Sequence, residues 1–137
     1  MAQGKKGKRK ATGPEAVAVV YGIDPESERY AAVREVLKAN AVRPKVARPD
    51  RLGDPVGALA GMVGFRPSLA QWEGDVPDVE SMVFCNVPSK TVDSVLAGLR
   101  EAGVDVPLKA VLTKFNKSWP LAQLLAQLSA ERSELGE

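Results

Sequence analysis

The sequence contains no histidine and only one cysteine among its 137 residues, and these absences narrow the chemistry that it can perform. Without an imidazole, neither the Ser-His-Asp nor the Cys-His pairing of nucleophilic hydrolases can form. One thiol without histidine also cannot supply the usual zinc ligands within one chain. Because Cys85 has no partner for an internal disulfide, we expect a reducing compartment and a cytoplasmic protein. Most hydrolase mechanisms are excluded, whereas carboxylate-bound magnesium and lysine chemistry are not.

Long apolar runs and aromatic residues are also scarce. No stretch approaches the roughly 18 apolar residues of a membrane-spanning helix, and no apolar region follows the charged N-terminus as a secretory signal would require. We therefore expect no membrane contact. Aromatic residues make up only 5% of the chain, so Val, Leu, Ala and Met must form most of the core. No paired acid and base can be named for catalysis, and we expect no enzyme and no cofactor.

Positive charge is concentrated at the N-terminus. Residues 1–14 contain no acid and five basic residues, which are Lys5, Lys6, Lys8, Arg9 and Lys10. Of the 19 basic residues of the chain, 14 therefore remain against 17 acidic ones, so the rest carries a net charge of −3. The composition predicts a disordered basic arm over residues 1–14, followed by a single α/β domain over residues 15–137. The arm can support weak, sequence-independent nucleic-acid binding, or it can simply be a solubilising tail.

Apolar runs and helical stripes alternate along the remaining chain. Strands are predicted at residues 16–21, 43–47, 81–87 and 108–112, and helices at residues 25–40, 54–63, 89–103 and 119–128. Asp24, Ser89 and Ser118 are the predicted helix caps. Pro44 indicates either an edge position or a late start for the second strand, because proline cannot donate to a neighbouring strand.

The two halves of this pattern resemble each other. Residues 16–63 and 81–129 form possible pseudo-repeats with a period of about 63 residues, joined by a linker over residues 64–80 that Trp72 is expected to anchor. The predicted fold is α/β, with two tandem strand-helix-strand-helix units forming a small, mainly parallel four-stranded sheet with helices packed on it. A ferredoxin-like α+β fold is the alternative. Any two strand-helix-strand-helix units share a similar pattern of apolar and polar residues, so the similarity alone does not establish a duplication.

Residues 113–119 hold the richest group of polar side chains. Ligands of parallel sheets bind at the carboxyl ends of strands, where we expect residues 22–24, 85–87 and 113–119 to meet. With the free amides of the following helix, the last loop could hold an anion. The candidate contact residues are Thr113, Lys114, Asn116, Lys117 and Trp119. Alternatively, this loop only turns the chain and caps the helix, while the indole of Trp119 packs on the core. In that case Trp119→Ala should cost roughly 3 to 5 kcal/mol.

The same stretch carries a family resemblance. The run Leu108 to Thr113, then Asn116-Lys117, Trp119 and the leucine helix resemble the closing motif of the bacterial domain-of-unknown-function family 3783. The resemblance covers the last third of the chain well and the rest loosely. It implies no activity, because none is assigned to the family. We therefore predict a non-catalytic binding or regulatory domain that uses residues 113–119 to contact an anionic small molecule or a protein. Weak nucleic-acid association through the basic arm is the alternative.

Overall fold

The computed structural model describes the backbone of residues 15–134 and the side chains of residues 15–132. Residues 1–14, the predicted basic arm, lie outside the described part. The elements are β1 (Val17–Tyr21), α1 (Glu28–Ala39), β2 (Arg43–Ala47), a 3-10 turn (Pro49–Arg51), α2 (Val56–Leu59), β3 (Ser81–Cys85), α3 (Ser89–Glu101), β4 (Leu108–Val111) and α4 (Leu121–Glu134). All four predicted strands and all four predicted helices are present.

The four strands form one open, mixed sheet in the order β2-β1-β3-β4. The outer pairs, β1 with β2 and β3 with β4, are parallel, and the central pair, β1 with β3, is antiparallel. The α/β class and the mainly parallel four-stranded sheet are thus confirmed. Pro44 lies in the edge strand β2, as predicted. Each half follows the order strand, helix, strand, helix, and the descent of both halves from one repeat stays a prediction.

Helices cover both faces of the sheet. Successive side chains of a strand point to opposite faces, so β1 and β3 each contribute to two cores. The first core contains Ala18, Val20, Met82 and Phe84 under α1 and α3. The second core contains Val17, Val19, Val83 and Cys85 under α2 and α4. This three-layer arrangement contradicts the ferredoxin-like alternative, in which helices lie on one face of an antiparallel sheet.

The antiparallel central pair separates strand ends that we expected to lie together. Tyr21 is paired with Ser81 and Val17 with Cys85, so the carboxyl ends of β1 and β2 lie opposite those of β3 and β4. We call the two ends of the sheet the Tyr21 end and the Cys85 end. Residues 22–24 follow β1 at the Tyr21 end, whereas residues 86–88 and 113–119 leave the Cys85 end. The predicted meeting of all three loops is therefore wrong.

Two predicted helix starts also differ. Ser27, and not Asp24, caps α1, because its Oγ accepts a hydrogen bond from the Tyr30 amide at 3.1 Å. In α3 the residue before the helix is Pro88, and Ser89 is already helical. A serine or aspartate can occupy any of several positions near a helix start, so the residue type locates the start only within a few positions.

Helix α2 is shorter than the predicted span of residues 54–63. It ends at Leu59, and Gly61 and Gly64 follow with positive φ angles of 78° and 94°. Such backbone conformations favour glycine and cannot continue a right-handed helix. The glycines of this segment therefore end α2 after one turn.

The linker over residues 64–80 contains no helix or strand and is held by specific contacts. Trp72 packs against the second core, and its amide donates to the Asp50 carbonyl at 2.9 Å. Its indole Nε1 donates to the Asp75 carbonyl at 2.8 Å. The buried carboxylate of Asp54 accepts a hydrogen bond from the Ser68 amide at 2.9 Å. Trp72 thus anchors the linker, as the sequence predicts.

Candidate functional site

The loop over residues 113–119 begins at the Cys85 end of the sheet. Its last bond to the sheet is donated by the Leu112 amide to the Phe84 carbonyl at 2.8 Å. The chain then turns under the sheet toward α4, where Pro120 forms an isolated antiparallel bridge with Pro55 of the first half. The loop is therefore fixed at both ends by contacts with strands or with the other half of the chain.

Two of the candidate contact residues form the internal framework of this loop. Asn116 Oδ1 accepts a hydrogen bond from the Thr113 amide at 2.8 Å. Thr113 Oγ1 accepts from the amides of Phe115 and Asn116, each at 3.2 Å. Such bonds between short polar side chains and nearby amides stabilise turns. Thr113 and Asn116 thus hold the loop in shape.

The start of α4 offers no free amides in its first two positions. The Leu121 amide donates to the Asp54 carbonyl at 3.1 Å, and the Ala122 amide donates to the Leu52 carbonyl at 2.9 Å. These two amides are therefore not available to an anion, and the lysines of the loop are the remaining candidate contacts. Ser118 was predicted to cap α4 with its side chain. Instead, backbone carbonyls from the first half of the chain accept the hydrogen bonds of the first amides of α4.

The first amides of α2 are likewise paired with backbone carbonyls of the second half. The Val56 amide donates to the Trp119 carbonyl at 2.9 Å, and the Gly57 amide donates to the Lys117 carbonyl at 2.8 Å. Backbone carbonyls of the first half thus accept hydrogen bonds from the start of α4, and backbone carbonyls of the second half accept hydrogen bonds from the start of α2. We call these four hydrogen bonds between residues 52–57 and 117–122 the reciprocal clamp.

Two lysines of the loop each lie close to an aromatic ring, and one of these rings is exposed to solvent. The Phe115 side chain is 74% exposed, and Lys114 Nζ lies 5.3 Å from the centroid of its ring. Lys117 Nζ lies 5.8 Å from the centroid of the Phe65 ring, which comes from the linker. Both distances permit cation–π attraction. We call Phe65, Lys114, Phe115 and Lys117 the loop surface.

Phe115 is not among the contact residues predicted from the sequence. The available signal was an aromatic residue in a polar turn, outside the helical spacing of the leucines. Trp119, by contrast, is only partly exposed and packs against the second core. Its indole therefore has the packing role that the sequence left as one of two alternatives.

The loop over residues 22–24 borders a separate cavity at the Tyr21 end. This cavity has a volume of about 350 Å³ and lies beside the ends of β1 and β2, with Arg48 and Asp78 in its lining. The Tyr21 hydroxyl donates to the Pro77 carbonyl at 2.9 Å. Burial, with a smaller contribution from the carboxylate of Asp78, raises the pKa of Tyr21. None of the candidate residues of loop 113–119 lines this cavity.

Cys85 lies in the second core with its side chain fully buried. Burial raises the pKa of its thiol to about 12, so the thiol stays protonated near neutral pH. Over the described part of the chain, no three carboxylate or thiol groups lie close enough together to hold a metal ion. No helix among the described residues is long and apolar enough to cross a membrane.

Comparison with protein families assigns the second half of the chain. Residues 80–135 match the model of the family described as "Domain of unknown function (DUF3783)". This segment begins just before β3 and includes the whole of β4, loop 113–119 and α4, where the sequence resemblance was strongest. No curated protein and no solved structure matches the chain. The sequence resemblance to this family of unknown function is thus confirmed over residues 80–135.

Proposed function

We propose that this protein is a non-catalytic binding module whose contact site is the loop surface and whose partner is anionic. The exposed ring of Phe115, with Lys114 over it and Lys117 in the same loop, is the observation that carries this proposal. An aromatic ring exposed to water loses the stabilisation that burial would provide, and a partner that covers it restores that stabilisation. The two lysines favour negative charge in that partner.

The shape of the loop supports binding because it exists before any partner arrives. The bonds of Thr113 and Asn116 fix the turn, and the reciprocal clamp fixes its far end. A preformed loop loses little conformational entropy when it binds, which leaves more of the contact energy for affinity. Functional loops are commonly carried on a rigid framework in this way. Thr113, Asn116 and Trp119 then act as supports, and the lysines and Phe115 make the contacts.

The second candidate function is weak nucleic-acid association through the basic arm. Its five cations lie outside the described residues, so this interpretation rests on composition. One structural observation favours it. The described chain begins at Glu15, whose carbonyl accepts a hydrogen bond from Asn86 Nδ2 at 3.3 Å, so the arm joins the fold at the Cys85 end. That is the end from which loop 113–119 also leaves. A cytoplasmic location is likewise a proposal, supported by the single buried thiol.

Nuclear magnetic resonance titration of the full chain tests the binding proposal. The probes are decaglutamate and tripolyphosphate, two anions without aromatic groups. We expect both to shift the amide signals of residues 113–117, and those of residues 22–24 at the Tyr21 end to stay unchanged. Lys114→Gln with Lys117→Gln should abolish these shifts, because the charges that attract the anion are gone.

A matched variant controls for net charge. Arg48→Gln with Arg100→Gln removes two positive charges at the Tyr21 end, where both side chains are exposed. We expect it to bind both probes as the unmodified protein does. Shifts that spread over the whole surface, or that persist after the two lysine substitutions, would contradict a contact site at the loop surface.

A further inference from the structure

We propose that the cavity at the Tyr21 end binds a small organic cation with an apolar body, in a site separate from the loop surface. The proposal goes beyond the binding of an anionic partner, because the loop surface leaves the opposite end of the sheet. It depends on three observations, which are the position of the cavity relative to the strands, the contacts that fix its walls, and the charges in its lining.

The cavity lies where the fold leaves an opening between two parallel strands. Strands β1 and β2 are adjacent and parallel, so their carboxyl ends reach the same end of the sheet. The chain leaving β1 enters α1, which packs on the first core, whereas the chain leaving β2 enters α2, which packs on the second core. The two connections therefore diverge to opposite faces of the sheet. Ligands of open α/β sheets bind at such a point, outside the carboxyl ends of the strands.

Specific contacts hold the walls of the cavity in place. The walls are residues 22–25 after β1, residues 46–49 at the end of β2, and residues 77–79 of the linker. The Tyr21 hydroxyl donates to the Pro77 carbonyl at 2.9 Å, which ties the linker to β1. Gly22 has a φ of 89°, and a β-carbon there would collide with the carbonyl oxygen of residue 79. The linker wall is therefore fixed, and a ligand meets a preformed site.

The inner surface of the cavity is mostly apolar. Apart from Tyr21, Gly22 and three charged side chains, the lining consists of aliphatic residues and prolines, which are Ile23, Pro25, Val46, Ala47, Pro49, Pro77 and Val79. Val46 is 37% exposed although it lies within a strand. The volume of about 350 Å³ is near the lower end of the range of about 300 to 1,000 Å³ for ligand pockets. A small ligand with an apolar body covers this surface and gains the stabilisation of burial.

The charged groups of the lining favour a cation. They are Asp24, Arg48 and Asp78. The guanidinium of Arg48 is paired with Asp50 at 2.9 Å, whereas Asp24 and Asp78 form no ion pair within the described part of the chain. Burial, and to a smaller extent the carboxylate of Asp78, raises the pKa of Tyr21, so this carboxylate acts on the inner surface of the cavity. The charges that a ligand can still neutralise are thus negative.

Other cations at this end of the sheet do not line the cavity. The guanidinium of Arg29 is bound by Glu80 at 2.6 Å, and that of Arg51 lies 3.5 Å from the carboxylate of Asp54. Lys45 of β2 extends its ammonium toward the turn after α2. The remaining cations lie beside β4, at the opposite edge of the sheet from β2, and they are Arg100, Lys109 and Arg132. The two carboxylates of the lining therefore stay available to a ligand.

These features together define the chemistry of the ligand. An ammonium or guanidinium group pairs with the carboxylates of Asp24 and Asp78, both of which are exposed to solvent at the cavity. An apolar ring or chain on the same molecule then covers Ile23 and Val46. An uncharged ligand gains only the apolar contact, and an anionic ligand is repelled by the carboxylates.

Nuclear magnetic resonance titration of the full chain tests the proposal with three probes of the same shape. Phenethylamine is cationic, 2-phenylethanol is neutral and 3-phenylpropanoate is anionic. We expect phenethylamine to shift the amide signals of residues 22–24, 46–48 and 78–79, and to leave those of residues 113–117 unchanged. Binding should be in the millimolar range, as is usual for ligands of this size. The neutral probe should bind more weakly at the same residues, and the anionic probe more weakly still.

Asp24→Asn with Asp78→Asn removes the two charges and keeps the shape of the site. Asparagine retains an oxygen to accept the hydrogen bond that the Glu26 amide donates to Asp24 at 2.9 Å. We expect this variant to bind phenethylamine about 2- to 30-fold more weakly, because each exposed charge pair contributes about 1.5- to 5-fold. Its affinity for 2-phenylethanol should not change. The matched control is Glu35→Gln with Asp93→Asn, which removes two exposed acids of α1 and α3 outside the lining and should bind phenethylamine normally.

Three results would overturn the proposal. The first is the absence of phenethylamine shifts at the three wall segments. The second is a double variant that binds phenethylamine like the unmodified protein. The third is 3-phenylpropanoate binding at the same residues as tightly as phenethylamine, which would assign the site to anions through Arg48. If the double variant does not give the amide spectrum of a folded protein, Asp78→Asn alone decides the second point, with an expected loss of about 1.5- to 5-fold. None of these results bears on the loop surface, which the polyanion titration tests separately.

Discussion

Replacing Trp119 by alanine tests the packing of loop 113–119 against the body of the protein. A fully buried indole removes about 150 to 250 Å² from water, which at about 25 cal/mol per Å² corresponds to roughly 4 to 6 kcal/mol. Trp119 is partly exposed, and alanine keeps the β-carbon, so only part of this area is lost. The Trp119 carbonyl still accepts from Val56 after the substitution, because that bond is made by the backbone. We expect Trp119→Ala to lower the free energy of unfolding by about 2 to 4 kcal/mol.

Urea unfolding followed by circular dichroism measures this loss, and the fluorescence of Trp72 gives a second signal in the same variant. The matched control is Phe115→Ala, which removes an aromatic ring from the same loop. Because that ring is 74% exposed, the control should change the free energy of unfolding by less than about 0.5 kcal/mol. If Trp119→Ala costs less than about 1 kcal/mol, or no more than the control, the indole does not pack as the structure indicates. A changed urea dependence would instead indicate an altered denatured state.

Two further predictions concern buried polar groups. Asp54→Ala should cost about 2 to 3 kcal/mol in urea unfolding, because the Ser68 amide and the Arg51 guanidinium lose the carboxylate that they contact; a cost below about 0.5 kcal/mol would show that the linker is not held through this group. For Cys85, burial raises the pKa of the thiol from 9.0 to about 12, so the unfolded state loses its proton first and stability falls as the pH rises from 9 toward 12. Between about pH 8 and about pH 11, the free energy of unfolding should fall by about 2.5 kcal/mol less in Cys85→Ala than in the unmodified protein. Equal losses in both proteins would contradict this pKa.

The strands were predictable because their burial is encoded locally. Val17–Tyr21 and Ser81–Cys85 are buried at every position, and each is an apolar run bounded by residues that break it. The direction of β3 relative to β1 was not predictable in this way. A strand that is buried on both faces has the same sequence pattern in a parallel and in an antiparallel pair. The course of residues 64–80 decides the direction, and that segment shows no periodicity.

The candidate site was predictable in position but not in the roles of its residues. Thr113 and Asn116 carry groups that suit ligand binding, yet the same groups form turns, and sequence alone does not separate the two uses. Ser118 was expected to cap α4, but the carbonyls that pair its first amides come from residues 52 and 54, far away in the chain. The exposure of Phe115 depends on the shape of the whole loop. The structure was needed for each of these assignments.

The reciprocal clamp has a consequence for how fast the protein folds. Each of its four hydrogen bonds joins residues that are 60 to 70 positions apart in the chain. The first amides of α2 and α4 therefore find their partners in the protein only when the other half of the chain has arrived. Contacts of such long sequence separation close large loops before they contribute any stability, which slows folding relative to proteins built from local contacts. While the clamp is unformed, the unpaired helix starts and the apolar edges of β1 and β3 are open to other chains, so the concentration of protein during refolding should decide how much of it reaches the native state.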